Sequence, residues 1–141
     1  IDKTEHKILF ESSNQYGFVP GFDMTTLGDL VGDSMIEMLH MDVQGAELDF
    51  LRSIKNFKKR GQLRFVFVST HHHLISGSRT THDDCVSLLT DLGAVILVDH
   101  SIAESFSGDG LIVASFKVED STLKLPEISR NSVQNSLFRA A

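Results

Sequence analysis

The chain has 141 residues, with 13 Lys plus Arg against 19 Asp plus Glu and a net charge of −6. That length holds about one domain with a real core, and the negative balance disfavours nucleic-acid backbones and anionic membrane surfaces as partners. Cys85 is the single cysteine, so no intrachain disulfide can form, and no apolar run approaches the roughly 20 residues that span a bilayer. The expectation is a soluble, cytoplasmic protein. Its opening, IDKTEHKILF, has neither an initiator Met nor a basic-then-apolar leader, so it reads as a processed product or a piece of something longer.

Short apolar runs alternate with segments of helical period, the pattern of α/β proteins with parallel strands. KILFESSNQYGFVPGFD reads as a strand or extended lead and then a loop, with His6 unplaced, so residues 1–24 form a lead segment. TTLGDLV offers Thr25 or Thr26 as N-cap of a short helix ending near Val31. MIEMLHMD is a mostly buried strand over residues 35–41, with His40 as a hydrogen-bonded core histidine and the methionines as packing. From Gly45, Leu48, Leu51 and Ile54 recur at helical spacing, cations gather at Lys55, Lys58, Lys59 and Arg60, and Gly61 stops the helix.

The second half repeats this order. LRFVFVST is a β-branched and aromatic strand that breaks into the polar loop HHHLISGSRT. Thr80 or Thr81 caps a helix striped by Cys85, Leu88, Leu89 and Leu92, with Cys85 an inert buried thiol, and Gly93 ends it. AVILVDHS and LIVASFK are strands whose connection is too short for a crossover helix, so they pair antiparallel or enclose a third strand. Residues 118–141 form a polar tail in which a helix through Val133 and Leu137 and a frayed end are equal alternatives.

Chemistry gathers in two places. In MDVQGAE, Asp42 follows a strand, Gly45 allows a tight turn or a close backbone approach, and Glu47 lies in the first helical turn, where the dipole favours an anion. Two readings stand together here: the carboxylates face a ligand, or Asp42 caps the helix and Glu47 completes the cap. His71, His72 and His73 follow the next strand on the same sheet edge, and alternation along an extended segment would point His71 and His73 the same way. His82 and His100 are read as solvated or capping, and Asp99 and Asp109 as turn residues, with Asp109 also able to rim a substrate pocket.

TTLGDLVGD, LHMDVQGAELDFLRS, RFVFVSTHHHLISGSRTTHDDCVSLLTDLGAVILVDHS and GDGLIVASF together resemble the carboxyl-terminal half of the FkbM-family methyltransferases, over roughly residues 25–117. The resemblance implies S-adenosylmethionine as cofactor and a partial class I, Rossmann-like sheet. Residues 35–41, 63–69, 94–98 and 111–116 would be its strands 4, 5, 6 and 7, side by side in the order 4-5-7-6, with only strand 7 antiparallel. The chain departs from the family in showing no Gly-rich turn after a strand with an acidic partner about 20 residues on, so it reads as a single, partial methyltransferase domain that starts after strand 3.

The resemblance favours Asp42 facing the site. It implies methyl transfer to a hydroxyl of a small molecule or glycan, with Asp42, His71 and His73 as catalytic residues and Asp42, Gly45 and Glu47 at the cofactor. Two other classes compete: a metal-binding or hydrolytic domain built on Asp42, Glu47, His71 and His73, and a non-catalytic remnant or interaction module. Finally, the flank of residues 35–41 that strand 1 would occupy is expected to be covered by the amino-terminal segment or by a second copy of the chain, as a homo-oligomer.

Overall fold

In the computed structural model the described residues are 24–59, 61–105 and 108–125, and the chain divides after Ser34 into two units. The described part of the first is α1 (Met24–Val31). Gly32 ends it in the left-handed region, φ +58°, with its N–H on the Gly28 carbonyl at 3.0 Å. Thr25 and Thr26 lie inside the first turn rather than ahead of it as caps. The expectations for His6, for the KILFES strand and for a helix through Val133 and Leu137 fall outside the described residues.

The second unit is a mixed α/β structure on a four-stranded sheet of β1 (Ile36–Met41), β2 (Leu63–His71), β3 (Val95–His100) and β4 (Asp109–Ser115) in the order β1-β2-β4-β3. β1 and β2 are parallel, and β4 runs antiparallel to both β2 and β3. This is the order and direction expected from the sequence. Among its described residues the connection over 101–108 has one 3-10 turn (Ile102–Glu104), and it is too short for a crossover helix, so β4 returns against β3.

α2 (Glu47–Ser53) and α3 (Lys55–Lys59) replace the single helix expected up to Gly61. The break has a local cause. Ser53 Oγ donates to the Phe50 carbonyl at 2.5 Å, and the Ile54 N–H turns to Leu51 O at 3.2 Å, which tightens the end of α2. Leu51, Ile54 and Phe57 nevertheless stay on one buried line. α4 (His73–Ser76) is a single turn where a loop was expected, and α5 (Thr81–Asp91) follows.

α2 and α5 pack together, and the core lies between them and one sheet face. Val66, Val68 and Thr70 of β2, with Met41, Ile112 and Ala114 in register beside them, are buried with Leu51, Cys85 and Leu89. Burial, with Glu47 and Asp84 nearby, pushes the Cys85 thiol up to about 12, in keeping with the inert thiol expected. β1 is not the mostly buried strand foreseen. Its alternate residues Ile36, Met38 and His40 lie on the other face beside Leu63, Phe65 and Phe67, where Met38 is 60 % exposed and His40 is exposed rather than a core histidine. A parallel strand reads as continuously apolar because both its faces are usually covered, and the helices of this unit pack on the opposite face.

The segment after β4 is anchored more firmly than a polar tail. A 3-10 turn (Val118–Thr122) brings Asp120 to Arg64, whose Nε and Nη2 donate to its two oxygens at 3.0 and 2.8 Å, while Ser115 Oγ donates at 2.6 Å. Arg64 also binds Glu37 of β1, so one guanidinium ties β1, β2 and the end of β4 together. Among the described residues no helix is long and apolar enough to cross a membrane.

Arg64 and the Ser115 hydroxyl hold the Asp120 carboxyl below its ordinary 3.8, at about 2. A depressed carboxyl stabilises the fold above its unfolded pKa, and that contribution is lost as pH falls toward the folded one. Asp120→Asn should therefore melt below the parent at neutral pH, with the gap in Tm narrowing between about pH 4 and pH 2. Thermal melts followed by circular dichroism check this, and a gap independent of pH would contradict it.

Candidate functional site

β1 and β2 end at the same sheet edge because they are parallel and paired as far as Met41 with Val68. The residues that follow, Asp42 after β1 and His71 at the end of β2, therefore meet, with His71 Nε2 3.1 Å from Asp42 Oδ1. His71 is 2 % exposed and Asp42 50 % exposed, so the carboxylate stands outward with the ring behind it. Behind the ring lies Glu47, fully buried at the start of α2, its Oε1 2.6 Å from His71 Nδ1 and accepting the Gly45 N–H at 2.9 Å. Glu47 Oε2 has no hydrogen-bond partner among the described residues. A buried carboxylate persists only when such donors compensate its lost hydration, so Glu47 locks the turn after β1 to the end of β2.

That arrangement bears on the capping reading of MDVQGAE. The N-cap of α2 is Ala46, without a side-chain bond, so Asp42 is not a cap and faces His71. Gly45 has φ +103°, and a Cβ there would sit 2.9 Å from Ser76 Cα and 3.1 Å from Ile75 O. The close approach that the glycine permits is thus to the backbone of α4. Gly45 and Glu47, foreseen at the cofactor, serve in this structure to bring the two loops together.

His73 does not join His71. β2 ends at His71, and the chain turns into α4 with His72 as its N-cap, so the extended alternation assumed for the three histidines stops after the first. The ring of His73 packs on His72 at 4.0 Å between centroids. Desolvation, with His72 and Arg79 adding to it, lowers the His73 pKa below its ordinary value. The cluster instead contains two residues that were not foreseen as parts of it. Gln44 Nε2 donates to Asp42 Oδ1 at 3.2 Å and lies 3.0 Å from His71 Nε2. Asp109, at the start of β4 and read from the sequence as a turn or rim residue rather than a partner of His71, places Oδ1 3.8 Å from the same nitrogen and is 32 % exposed.

A second polar chain lies beside it. His82, read as solvated or capping, is buried with Nδ1 2.7 Å from Thr70 Oγ1 and Nε2 2.8 Å from Asp99 Oδ1. Gly110 of β4 makes room for it, since a Cβ there would overlap Thr70 Oγ1 and stand 2.5 Å from His82 Nδ1. His100 pairs more loosely with Glu104, at 3.5 Å. The spacing of residues 70, 82 and 99 carries no local signal, because three separate elements supply them.

Glu47→Ala should lower stability by about 2–4 kcal/mol, since it opens a cavity and strips the Gly45 N–H and the His71 ring of their acceptor. Glu47→Gln, which keeps an oxygen for both donors, should cost much less. Urea unfolding of the two variants checks the order, and equal losses would mean that the charge rather than the hydrogen-bonded oxygen matters.

The cluster is rich in carboxylates, yet among the described residues no group of three or more His, Cys, Asp or Glu side chains could hold a metal ion. The metal-binding or hydrolytic alternative therefore finds no support in the geometry. A sequence model of the methyltransferase FkbM domain matches residues 6–96. No curated protein and no solved structure matches. The matched stretch contains β1, the MDVQGAE turn, β2, all three loop histidines and α5, and with most of its length and this edge inside the match, the chain belongs to the FkbM methyltransferase family.

Proposed function

We propose that this chain serves methyl transfer from S-adenosylmethionine to a hydroxyl of a small molecule or glycan, such as a sugar or a secondary metabolite, with Asp42 as the residue that meets the ligands. The observation that carries the reading is the Asp42–His71–Glu47 chain at the carboxyl ends of β1 and β2, within a match to a methyltransferase family. In open α/β sheets ligands bind outside those ends. The order β1-β2-β4-β3 with β4 reversed supports their assignment as strands 4, 5, 7 and 6 of a class I sheet.

The donor set suits the cofactor. Asp42 and Asp109 turn partly exposed carboxylates to the edge, which fits an ammonium group or ribose hydroxyls, and Asp42 is the residue that would hold one of them. When bound, S-adenosylmethionine supplies an electrophilic methyl group on a sulfonium centre. The protein's own contribution is mainly orientation, worth about 7–11 kcal/mol when reacting atoms are held in a near-attack pose. The acceptor hydroxyl, lying beside Asp42, donates its hydrogen bond to His71 Nε2. The proton released as that oxygen bonds to the methyl group passes to the Asp42–His71 pair, and Glu47 steadies the ring that gains it. Gly45 and Glu47 act through this geometry, and His73 is left without a direct role. A cytoplasmic place of action and a second copy or the amino-terminal segment covering the outer flank of β1 belong to the same proposal, the latter because β1 is an end strand of the described sheet.

Asp42→Asn in the native protein that carries this domain should lower turnover at least tenfold, a loss of about 1.4 kcal/mol in transition-state stabilisation, with little change in melting temperature. Transfer of labelled methyl from S-adenosylmethionine, alongside calorimetric titration of the cofactor, measures both. Turnover within a factor of two of the parent would remove Asp42 from the mechanism.

A further inference from the structure

Gln44 is the one non-glycine among the described residues with a positive φ, at +53°. Outside glycine and the short polar residues this conformation is strained, and it persists only where the surroundings hold it. Its side chain shows what holds it. The amide nitrogen stands 3.2 Å from Asp42 Oδ1 and 3.0 Å from His71 Nε2, so one NH2 group spans the exposed carboxylate and the buried ring.

Asp42 Oδ1 also lies 3.1 Å from His71 Nε2, so two arrangements compete here: a ring protonated on both nitrogens that donates to Asp42, and a ring whose bare Nε2 accepts from the Gln44 amide. An ionised carboxylate only accepts, so Asp42 draws the nitrogen of the Gln44 amide, rather than its oxygen, to itself. With the nitrogen in that place, its second hydrogen is within reach of His71 Nε2, and the amide favours the second arrangement, in which that nitrogen offers a lone pair. A neutral imidazole with a bare Nε2 carries its proton on Nδ1, and Nδ1 lies 2.6 Å from the Glu47 carboxylate. The charged groups that face the ring are Asp42 after β1, Glu47 at the start of α2 and Asp109 at the start of β4. All three are carboxylates and would accept a proton-bearing nitrogen on either side. Gln44 is the only donor among the groups recorded against Nε2.

We infer that Gln44 is a positioning residue: it fixes His71 as the Nδ1–H tautomer and caps the basic Nε2 until an acceptor hydroxyl takes the place of its amide. The functional half of this statement rests on the methyl-transfer reading, whereas the tautomer does not. A hydroxyl arriving beside Asp42 donates to the lone pair that the amide has kept directed outward. The left-handed backbone is what lets a side chain only two residues beyond Asp42 fold back over it.

Nitrogen-15 spectra of the histidine rings in this chain, free of cofactor and acceptor, test the inference. Near neutral pH the parent should show His71 with a protonated Nδ1 and a bare, hydrogen-bonded Nε2. Gln44→Gly relieves the backbone and removes the amide, so it should keep the fold by circular dichroism while the His71 nitrogens move toward an average of the two tautomers. Gln44→Glu puts an acceptor where the amide donates, so it should remove the bare Nε2 signal and show a proton on that nitrogen. A parent ring protonated on both nitrogens, or His71 signals unmoved by Gln44→Gly, would overturn the assignment. Because no methyl donor is present, either result stands whether or not the domain transfers methyl groups. In the native enzyme, the functional half requires that Gln44→Gly shift the acid limb of kcat against pH, and an unshifted limb refutes that half alone.

Discussion

The hydrogen bond between Glu47 and His71 is the constraint on which the sheet edge depends. It joins residues 24 positions apart, both buried, from the first turn of a helix and the last position of a strand. A carboxylate in that place is costly unless its oxygens are satisfied, and only one of them finds donors among the described residues. The surroundings must therefore be exact in shape. The Gly45 N–H has to point inward, which sets the left-handed glycine, and the glycine in turn admits the α4 turn to van der Waals contact. The outward carboxylate of Asp42 and the fold-back of Gln44 follow from the same turn.

The opposite end of the sheet is tied differently. There Arg64 does by charge what Glu47 does by burial, since its fork grips Asp120 while a remaining nitrogen reaches Glu37. One end is thus held by a buried contact between a helix start and a strand end, and the other by a fork-shaped ion pair between a strand and the segment after the last strand. A ligand at the carboxyl edge can disturb the first without loosening the second. That division lets a site exchange hydrogen bonds while its scaffold stays in place.

Much of this was legible in the sequence, and the parts that were not share a cause. The short IAESFSGDG link ruled out a crossover between the last two strands, leaving them to pair antiparallel or to enclose a third, and the full strand order came from the family resemblance. Asp42 and His71 could be placed on one edge because both follow strands of a parallel pair. His73 could not be placed, since its position depends on where β2 stops, and nothing in HHH marks the stop. Gln44 was invisible for a related reason: a left-handed glutamine has no propensity signal, and only its partners reveal it. The burial of His82 and the exposure of His40 both depend on which sheet face the helices cover, a choice made by tertiary packing.

The notch at Gly110 bears on something other than the site. Thr70 pairs with Gly110 across β2 and β4, and the His82 ring fills the space above the glycine. Antiparallel strands can in principle slide past one another by two residues with every side chain still on its own face. A slide that brought Ile112 opposite Thr70 would drive a branched side chain into a space where even a methyl group overlaps. The missing Cβ at Gly110 therefore works as a registration mark, readable only in the correct alignment, and it secures the one antiparallel strand between two neighbours that it must match at once.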